Sequence, residues 1–456
     1  MKQKGVLKST VIAIACAACV AAPAGAAELI TIPSDGPGPE EYDNVYVNKI
    51  GPDDAKQVLV LMPGTSGGAG DFTLVARHLV KKMPNLAVWA IDRRSQVLED
   101  TEVFQQLKAG EVTLQEAFDH YLGWVANGGS PADHYRFLQP NQYPFARKWG
   151  MKTALNDARK VVREAKGPKG KTEVWLGGHS LGASLTNAYA AWDFQGKPGF
   201  KDVEGLILID GGLLGSFDGF TLEEAQAAIE ALETSNPFLD LIGTGVAESA
   251  GLFAEIGGYY AKLDPTGSAE SLRTFPLLPD AFDPGYEVTN RGLFGFAFDR
   301  DTSPQSLRLL HANMGGIEPY AEGSISDWTD GGITPVGRMA KTFGQEPVNS
   351  VEWFFPRRLT IDTNGANEME QNDVADYLGL RLEHTSEIDV PIYAFQTDLT
   401  NGGVLTGAER LIKRAKTKKN ESLLVDGAPE QSHLDPLTAK PDRNEFLKTV
   451  VKFLKR

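Results

Sequence analysis

Short apolar runs alternate with amphipathic stretches over much of this chain of 456 residues. Apolar runs that are bounded by Gly, Pro or Asp are typical of buried strands. Such runs predict strands at Val45–Val47, which is weak, and at Gln57–Met62, Leu86–Ile91, Glu173–Leu176, Leu206–Ile209, Pro391–Phe395 and Ser422–Val425.

Apolar residues three and four positions apart predict helices between these strands. The predicted helices are Phe72–Lys82, Thr153–Lys166, Leu181–Trp192, Leu405–Ala415 and Asn444–Leu454. Strands that alternate with helices favour a mostly parallel sheet covered on both faces, so the predicted fold class is α/β. Two stretches interrupt this alternation: residues 95–150 are helical, aromatic and polar, and residues 215–385 are rich in Gly, Pro and aromatics.

The first 26 residues have the layout of a secretory signal peptide. Three lysines precede an apolar run from Val11 to Ala22, and the small residues Ala24-Gly25-Ala26 follow it. This run is too short to cross a bilayer, which needs about 20 residues. We therefore expect cleavage near Ala26 and export, to a periplasm or out of the cell. No later stretch is long and apolar enough for a membrane helix.

Charge and cysteine content narrow the chemistry further. The chain has 60 acidic and 45 basic residues, a formal charge of −15, and loss of the three N-terminal lysines would make it −18. This charge argues against nucleic acid as a partner, because phosphate binding needs a basic face. Both cysteines lie in the first 26 residues. The mature chain would therefore have no disulfide and no thiol nucleophile.

The strongest chemical signal is the string GHSLG at 178–182, which matches G-x-S-x-G. It follows the predicted strand Glu173–Leu176 and opens a predicted helix, which is the setting of a nucleophile elbow. Its glycines permit the strained turn that would project the Ser180 hydroxyl above the sheet. A second match at 64–68 places Ser66 in a Gly-rich loop away from a helix, and we interpret that serine as part of the loop structure.

These features resemble the α/β-hydrolase superfamily, in which the elbow follows the fifth strand of the sheet. Four predicted strands precede Ser180 here, which fits the family if one early strand is unrecognised. The resemblance implies an oxyanion hole formed by the backbone N–H groups of Thr65 and Leu181, with Ser66 as the alternative to Thr65. Pro63 stands where the family carries a histidine in this loop, a difference that leaves the backbone role intact.

The family order of serine, acid and histidine implies that His433 is the general base, since no other histidine lies late enough in the chain. For the carboxylate that orients its ring we favour Asp398, which ends the predicted strand Pro391–Phe395. Asp210, which ends the predicted strand Leu206–Ile209, is the alternative, because some family members place the acid there.

The resemblance also implies a division of the chain. Residues 27–214 would form the first part of a hydrolase core, with an extra helical insertion at about 95–150. Residues 215–385 would form a cap inserted after the sixth core strand, and residues 386–456 the second part of the core. Most aromatic residues of the cap should pack its own core, while some should line an apolar channel. The aromatic residues in question are Phe253, Tyr259, Tyr260, Phe294, Phe296, Trp353, Phe354 and Phe355.

The expected function is that of an exported serine hydrolase. It would cleave carboxylic esters of apolar or aromatic acyl groups through an acyl-enzyme, with Ser180, His433 and Asp398 as the triad. An acyltransferase or an amidase could use the same residues, and a non-catalytic secreted binding protein could use the pocket alone. No zinc, calcium, dinucleotide or phosphate-loop motif is present, so we expect neither metal nor cofactor. The expected partner is a small-molecule ester, and the oligomeric state stays open.

Overall fold

The computed structural model describes residues 27–130, 132–168, 170–319, 323–344 and 350–456. The predicted signal peptide lies outside these residues. Within the described ranges, no helix is long and apolar enough to cross a bilayer.

Eight strands form one sheet in the order β1-β2-β4-β3-β5-β6-β9-β10. The two pairings of β2 are antiparallel and the other five are parallel, which confirms the predicted α/β class. A short antiparallel pair, β7 and β8, lies outside this sheet. The strands are β1 Ala27–Pro33, β2 Asn44–Ile50, β3 Gln57–Met62, β4 Leu86–Asp92, β5 Glu173–His179, β6 Gly205–Ile209, β7 Gly315–Ile317, β8 Trp328–Asp330, β9 Ile392–Gln396 and β10 Leu423–Asp426.

Helices fill the connections between the strands. They are α1 Thr73–Lys82, α2 Glu102–Ala109, α3 Leu114–Phe118, α4 Trp124–Ala126, α5 Met151–Lys166, α6 Leu181–Ala191, α7 Leu222–Thr234, α8 Ser249–Leu263, α9 Glu270–Arg273, α10 Asn290–Phe298, α11 Val336–Phe343, α12 Arg357–Gly365, α13 Asp373–Leu378, α14 Gly403–Arg414, α15 Asp435–Thr438 and α16 Glu445–Leu454. All five predicted helices are present, with ends that differ by one or two residues.

The sheet is buried on both faces because each central strand is apolar on both sides. Val58 and Val60 of β3 pack into a core with α5, α6 and α14, whereas Leu59 and Leu61 pack into a second core with α1 and α16. Alternate residues of a strand point to opposite faces of the sheet, so one continuous apolar run supplies both cores.

The early strand that the sequence analysis left unrecognised is β1, Ala27–Pro33. It forms one edge of the sheet and leaves Glu28 and Leu29 exposed, so it carries a weak apolar signal. With β1 counted, Ser180 follows the fifth strand, as in the family that the sequence resembles.

The chain between β6 and β9 carries α7 to α13 together with β7 and β8. Its apolar side chains form two further clusters, and the segment from Phe104 to Trp149 contributes to one of them. Parts of this chain touch the loops of the sheet directly. Gly67, in the loop after β3, forms a β-bridge with Val351, and the N–H of Leu434, in the loop after β10, donates to the carbonyl oxygen of His311 at 2.9 Å.

Candidate active site

The GHSLG string forms a sharp turn between β5 and α6. Ser180 has a φ of 56° and a ψ of −125°, a conformation that is unfavourable for a residue with a side chain. The turn needs glycine on both sides. A Cβ at Gly178 would lie 2.2 Å from the carbonyl carbon of Gly182, and a Cβ at Gly182 would lie 2.0 Å from the oxygen of Met62. The chain thus forms a strand–turn–helix unit with Ser180 at its tip.

The loop after β3 approaches this serine closely. A Cβ at Gly64 would lie only 2.8 Å from the Cβ of Ser180, so a larger residue there would push the loop away. Thr65 and Ser66 line the same cavity as Ser180 and His433. Leu181 is the first residue of α6, where backbone N–H groups have no acceptor within the helix. The residues predicted to supply the oxyanion donors therefore flank Ser180, and their role stays a prediction.

A buried arginine fixes the shape of this loop. The Arg93 guanidinium donates to the carbonyl oxygens of residues 63, 64 and 67 at 2.7, 3.0 and 3.1 Å. It also pairs with Glu352 at 2.5 Å, and the side chains of both partners are more than nine-tenths buried. The backbone N–H of Glu352 donates in turn to the oxygen of Ser66. The loop is therefore held between the end of β4 and the segment around residue 352.

A carboxylate holds the ring of His433, which lies in the loop after β10. The Nδ1 atom of His433 is 2.5 Å from Oδ2 of Asp210, and both side chains are buried. The backbone N–H of Thr397 donates to the other oxygen of Asp210 at 2.7 Å, and the Thr397 hydroxyl donates to Oδ2. Burial raises the pKa of Asp210, but the hydrogen bonds from His433 and Thr397 outweigh it and leave the pKa below its ordinary value.

The carboxylate at His433 is thus the alternative, Asp210, and not the favoured Asp398. An oxygen of Asp398 accepts from the Ser432 hydroxyl at 3.0 Å and lies 3.9 Å from Nη1 of Arg300. Its side chain is about 30% exposed. The reason for the correction is the length of β9. This strand ends at Gln396 and places the N–H of residue 397 against Asp210, whereas the carboxyl of Asp398 meets the Ser432 hydroxyl and not the His433 ring.

His179, the neighbour of Ser180, positions the loop that carries His433. Its Nε2–H donates to the carbonyl oxygen of His433 at 2.8 Å, and the two ring centroids are 4.3 Å apart. Burial lowers the pKa of His179 to about 3, so the ring is neutral at neutral pH. This contact of His179 was not predicted from the sequence, where its position inside the GHSLG string is the available signal.

Asp435 connects the same loop to the chain between β6 and β9. Its carboxyl accepts from the N–H groups of Asn313 and Ser432 at 3.1 and 2.7 Å, and from the Thr334 hydroxyl at 2.6 Å. Burial raises the pKa of Asp435 to about 7, although these donors lower it. The loop that carries His433 is therefore held directly by His179 and, through Asp435, by Asn313 and Thr334.

Ser180 lines one cavity, and a larger, more apolar cavity adjoins it. Leu241, Leu310 and Val351 line both. The side chains around the larger cavity are almost all apolar; they include Phe253, Ala254, Leu272, Leu278, Phe282, Leu293, Phe294, Ala297 and Phe298.

The aromatic residues singled out between 215 and 385 have different surroundings in the structure. Phe253 and Phe294 line the larger cavity, whereas Trp353 and Tyr259 pack in a buried aromatic cluster with Phe104. Tyr260 and Phe354 belong to that cluster too, Phe355 joins the core of the sheet, and Phe296 is half-buried.

One cluster of possible metal ligands occurs among the described residues, formed by Asp193, Glu383 and His384. Arg381 pairs with both carboxylates, and the His384 ring also contacts Glu387. Arg381 and the His384 ring offset part of the charge of these carboxylates, so the cluster is a network of ion pairs. It is not among the residues that line the cavity of Ser180.

No family model and no curated protein matches this chain. Among solved structures, a protein of Sulfolobus solfataricus assigned as a lipase aligns with 94% of this chain and 93% of its own, with a TM-score of 0.53 and 16% identity. An epoxide hydrolase from an endophytic Streptomyces aligns with 95% of this chain and 96% of its own, with a TM-score of 0.42 and 12% identity. The thioesterase domain from the curacin biosynthetic pathway aligns with 94% of this chain and all of its own, with a TM-score of 0.41 and 12% identity. The first of these similarities, together with the order of the strands, shows that the chain has the α/β-hydrolase fold.

Proposed function

We propose that this protein is an exported serine hydrolase that cleaves carboxylic esters with apolar acyl groups. The triad in this proposal is Ser180, His433 and Asp210. The observation that supports it best is the buried contact between His433 and Asp210 beside the cavity that contains Ser180. A serine hydroxyl becomes an effective nucleophile when an imidazole takes its proton and a carboxylate holds that imidazole.

In this mechanism the Ser180 hydroxyl attacks the ester carbonyl and transfers its proton to Nε2 of His433. The Nδ1–H of the ring stays bound to Asp210, which stabilises the imidazolium. The N–H groups of Thr65 and Leu181 would stabilise the negative charge on the carbonyl oxygen. His433 then protonates the leaving alcohol, and a water activated by the same ring releases the acid from Ser180.

The proposed acyl site is the larger cavity, and residues 215–385 are the proposed cap, since they supply nearly all of its lining. Burial of one methylene group contributes about 0.8 kcal/mol. If this contribution is realised in the transition state, kcat/KM should rise about fourfold for each added methylene until the cavity is filled. Phe253 and Phe294 provide ring faces that would also accept an aromatic acyl group.

The proposal is tested with a fluorophosphonate probe, which labels an activated serine. We expect labelling of the purified protein and loss of labelling in Ser180→Ala. The matched control is Ser66→Ala, which removes the serine of the other G-x-S-x-G string and should keep the label. A folded protein that takes no label, or a label that follows Ser66, would overturn the proposal.

The substrate class is tested with p-nitrophenyl esters of increasing acyl length. We expect kcat/KM to rise from acetate and then to level off when the cavity is full. A flat series would refute the acyl site even if Ser180 is labelled. Transfer of the acyl group to an added alcohol in preference to water would identify an acyltransferase.

A further inference from the structure

A second carboxyl group, that of Asp71, lines the cavity of Ser180. Asp71 lies in a 3₁₀ turn at Ala69–Phe72, just after the loop of Thr65 and Ser66. Its side chain reaches back toward that loop, and a Cβ at Gly67 would lie 2.6 Å from its Oδ2. The residue is 7% exposed. Its small exposed surface therefore belongs to the catalytic cavity.

No described residue donates a hydrogen bond to the Asp71 carboxyl. Its oxygens are not among the fully enclosed unpaired atoms, so they reach the open space of the cavity. A polar group of a ligand in the cavity can therefore meet them. The other buried carboxyl close to Ser180, that of Asp210, receives bonds from His433 and Thr397. An unpaired group at the wall of a binding cavity points to a partner that arrives with the ligand.

The surroundings of Asp71 favour the neutral acid. Burial raises the pKa of Asp71 well above its ordinary value, and the nearby carboxyl of Asp92 raises it further. Arg93 lowers it, but this guanidinium is already engaged by the loop carbonyls and Glu352. The other titratable groups at this cavity are His179 and His433. A neutral carboxyl can donate a hydrogen bond, whereas a carboxylate can only accept.

We propose that Asp71 acts as a carboxylic acid that donates a hydrogen bond to an oxygen of the bound ester group. It would add a third donor to the N–H groups of Thr65 and Leu181. This inference rests on the proposed ester hydrolysis at Ser180. Donors of this kind increase the rate when they face the charge that develops on the substrate oxygen.

Two substitutions of similar size separate this role from packing. Asp71→Asn keeps a donor at this place, and Asp71→Leu removes it. At neutral pH we expect Asp71→Asn to keep kcat within about threefold and Asp71→Leu to lose about tenfold or more, with a smaller change in KM. Equal activity of Asp71→Leu and the unchanged protein would overturn the inference.

The pH profile gives an independent readout that does not need the leucine variant to fold. In the unchanged protein kcat should fall at alkaline pH as Asp71 ionises, because a carboxylate would repel the developing oxyanion. Asp71→Asn should lack this decline, and Asp92→Asn should move it to lower pH by removing a charge that raises the pKa of Asp71. An identical decline in the unchanged protein and Asp71→Asn would contradict the inference. If the unchanged protein hydrolyses no ester and takes no fluorophosphonate label, the proposed function itself fails.

Discussion

Substitution of Asp210 by Asn should nearly abolish catalysis while leaving the fold intact. The Asp210 carboxylate accepts from the ring of His433 at 2.5 Å and from the backbone N–H of Thr397 at 2.7 Å. An asparagine has one acceptor oxygen, and its NH₂ group would face a donor at one of these two contacts. If it faces the ring, His433 must place its proton on Nε2 and can no longer accept the proton of Ser180. In a serine protease the same change lowers kcat by about 10⁴, or about 5 kcal/mol of transition-state stabilisation.

The matched control is Asp398→Asn. That carboxyl is partly exposed and accepts from the Ser432 hydroxyl at 3.0 Å, a contact that an amide oxygen can keep. We expect kcat within about threefold of the unchanged protein, in line with the small effect of a partly exposed contact. Hydrolysis of a p-nitrophenyl ester gives kcat, and circular dichroism checks the fold of both variants. A large loss in Asp398→Asn together with a small loss in Asp210→Asn would refute the assignment drawn from the geometry.

Further predictions concern His179, Arg93 and the larger cavity. His179→Phe leaves the carbonyl oxygen of His433 unpaired, so we expect the free energy of unfolding in urea to fall by about 1–3 kcal/mol and kcat to fall as well. An unchanged free energy of unfolding together with an unchanged kcat would contradict the positioning role. Burial lowers the pKa of His179 to about 3, so below pH 6.5 the unfolded chain binds more protons than the folded chain. The free energy of unfolding should therefore decrease as the pH falls from about 6.5 to 3. His179→Phe should remove this part of the acid sensitivity. Arg93→Met leaves Glu352 as a buried charge without its cationic partner, so we expect the free energy of unfolding in urea to fall by about 3–5 kcal/mol. The double substitution of Arg93 and Glu352 by Met should recover part of this loss. An unchanged urea midpoint in Arg93→Met would refute this prediction. Ala254→Phe narrows the larger cavity and should lower kcat/KM for long acyl esters while sparing acetate, a result that equal losses across the ester series would contradict.

Much of the fold could be predicted from local pattern. The strands β3, β4 and β6 are uninterrupted apolar runs, and such runs are buried on both faces of a parallel sheet. β1 could not be predicted in this way because Ile32 is its one buried residue and Glu28 and Leu29 are exposed, so its apolar signal is weak. The turn at Ser180 could be predicted because the strain of a nucleophile elbow is resolved within a few residues, and the glycines that permit it are adjacent in the chain.

The partner of His433 could not be settled in this way. Asp210 and Asp398 both follow predicted strands, and the order of residues along the chain does not say how far a loop turns after its strand ends. The structure separates them through Thr397, whose N–H and hydroxyl both point at Asp210. Asp71 could not be predicted for a similar reason. An aspartate after a glycine-rich loop is common in sequences, and the burial of Asp71 beside the cavity of Ser180 is visible only in the structure.

The amino-acid sequence by itself predicted most of the strands and helices and the turn at Ser180, because each depends on residues that are neighbours in the chain. The choice of His433 came instead from the order of residues in the family that the sequence resembles. The choice of carboxylate, the Arg93 contacts that shape the loop and the apolar cavity depend on groups that are up to 259 positions apart. Such groups meet only when the sheet and the residues between β6 and β9 are packed, since burial and hydrogen-bond partners are properties of the assembled chain.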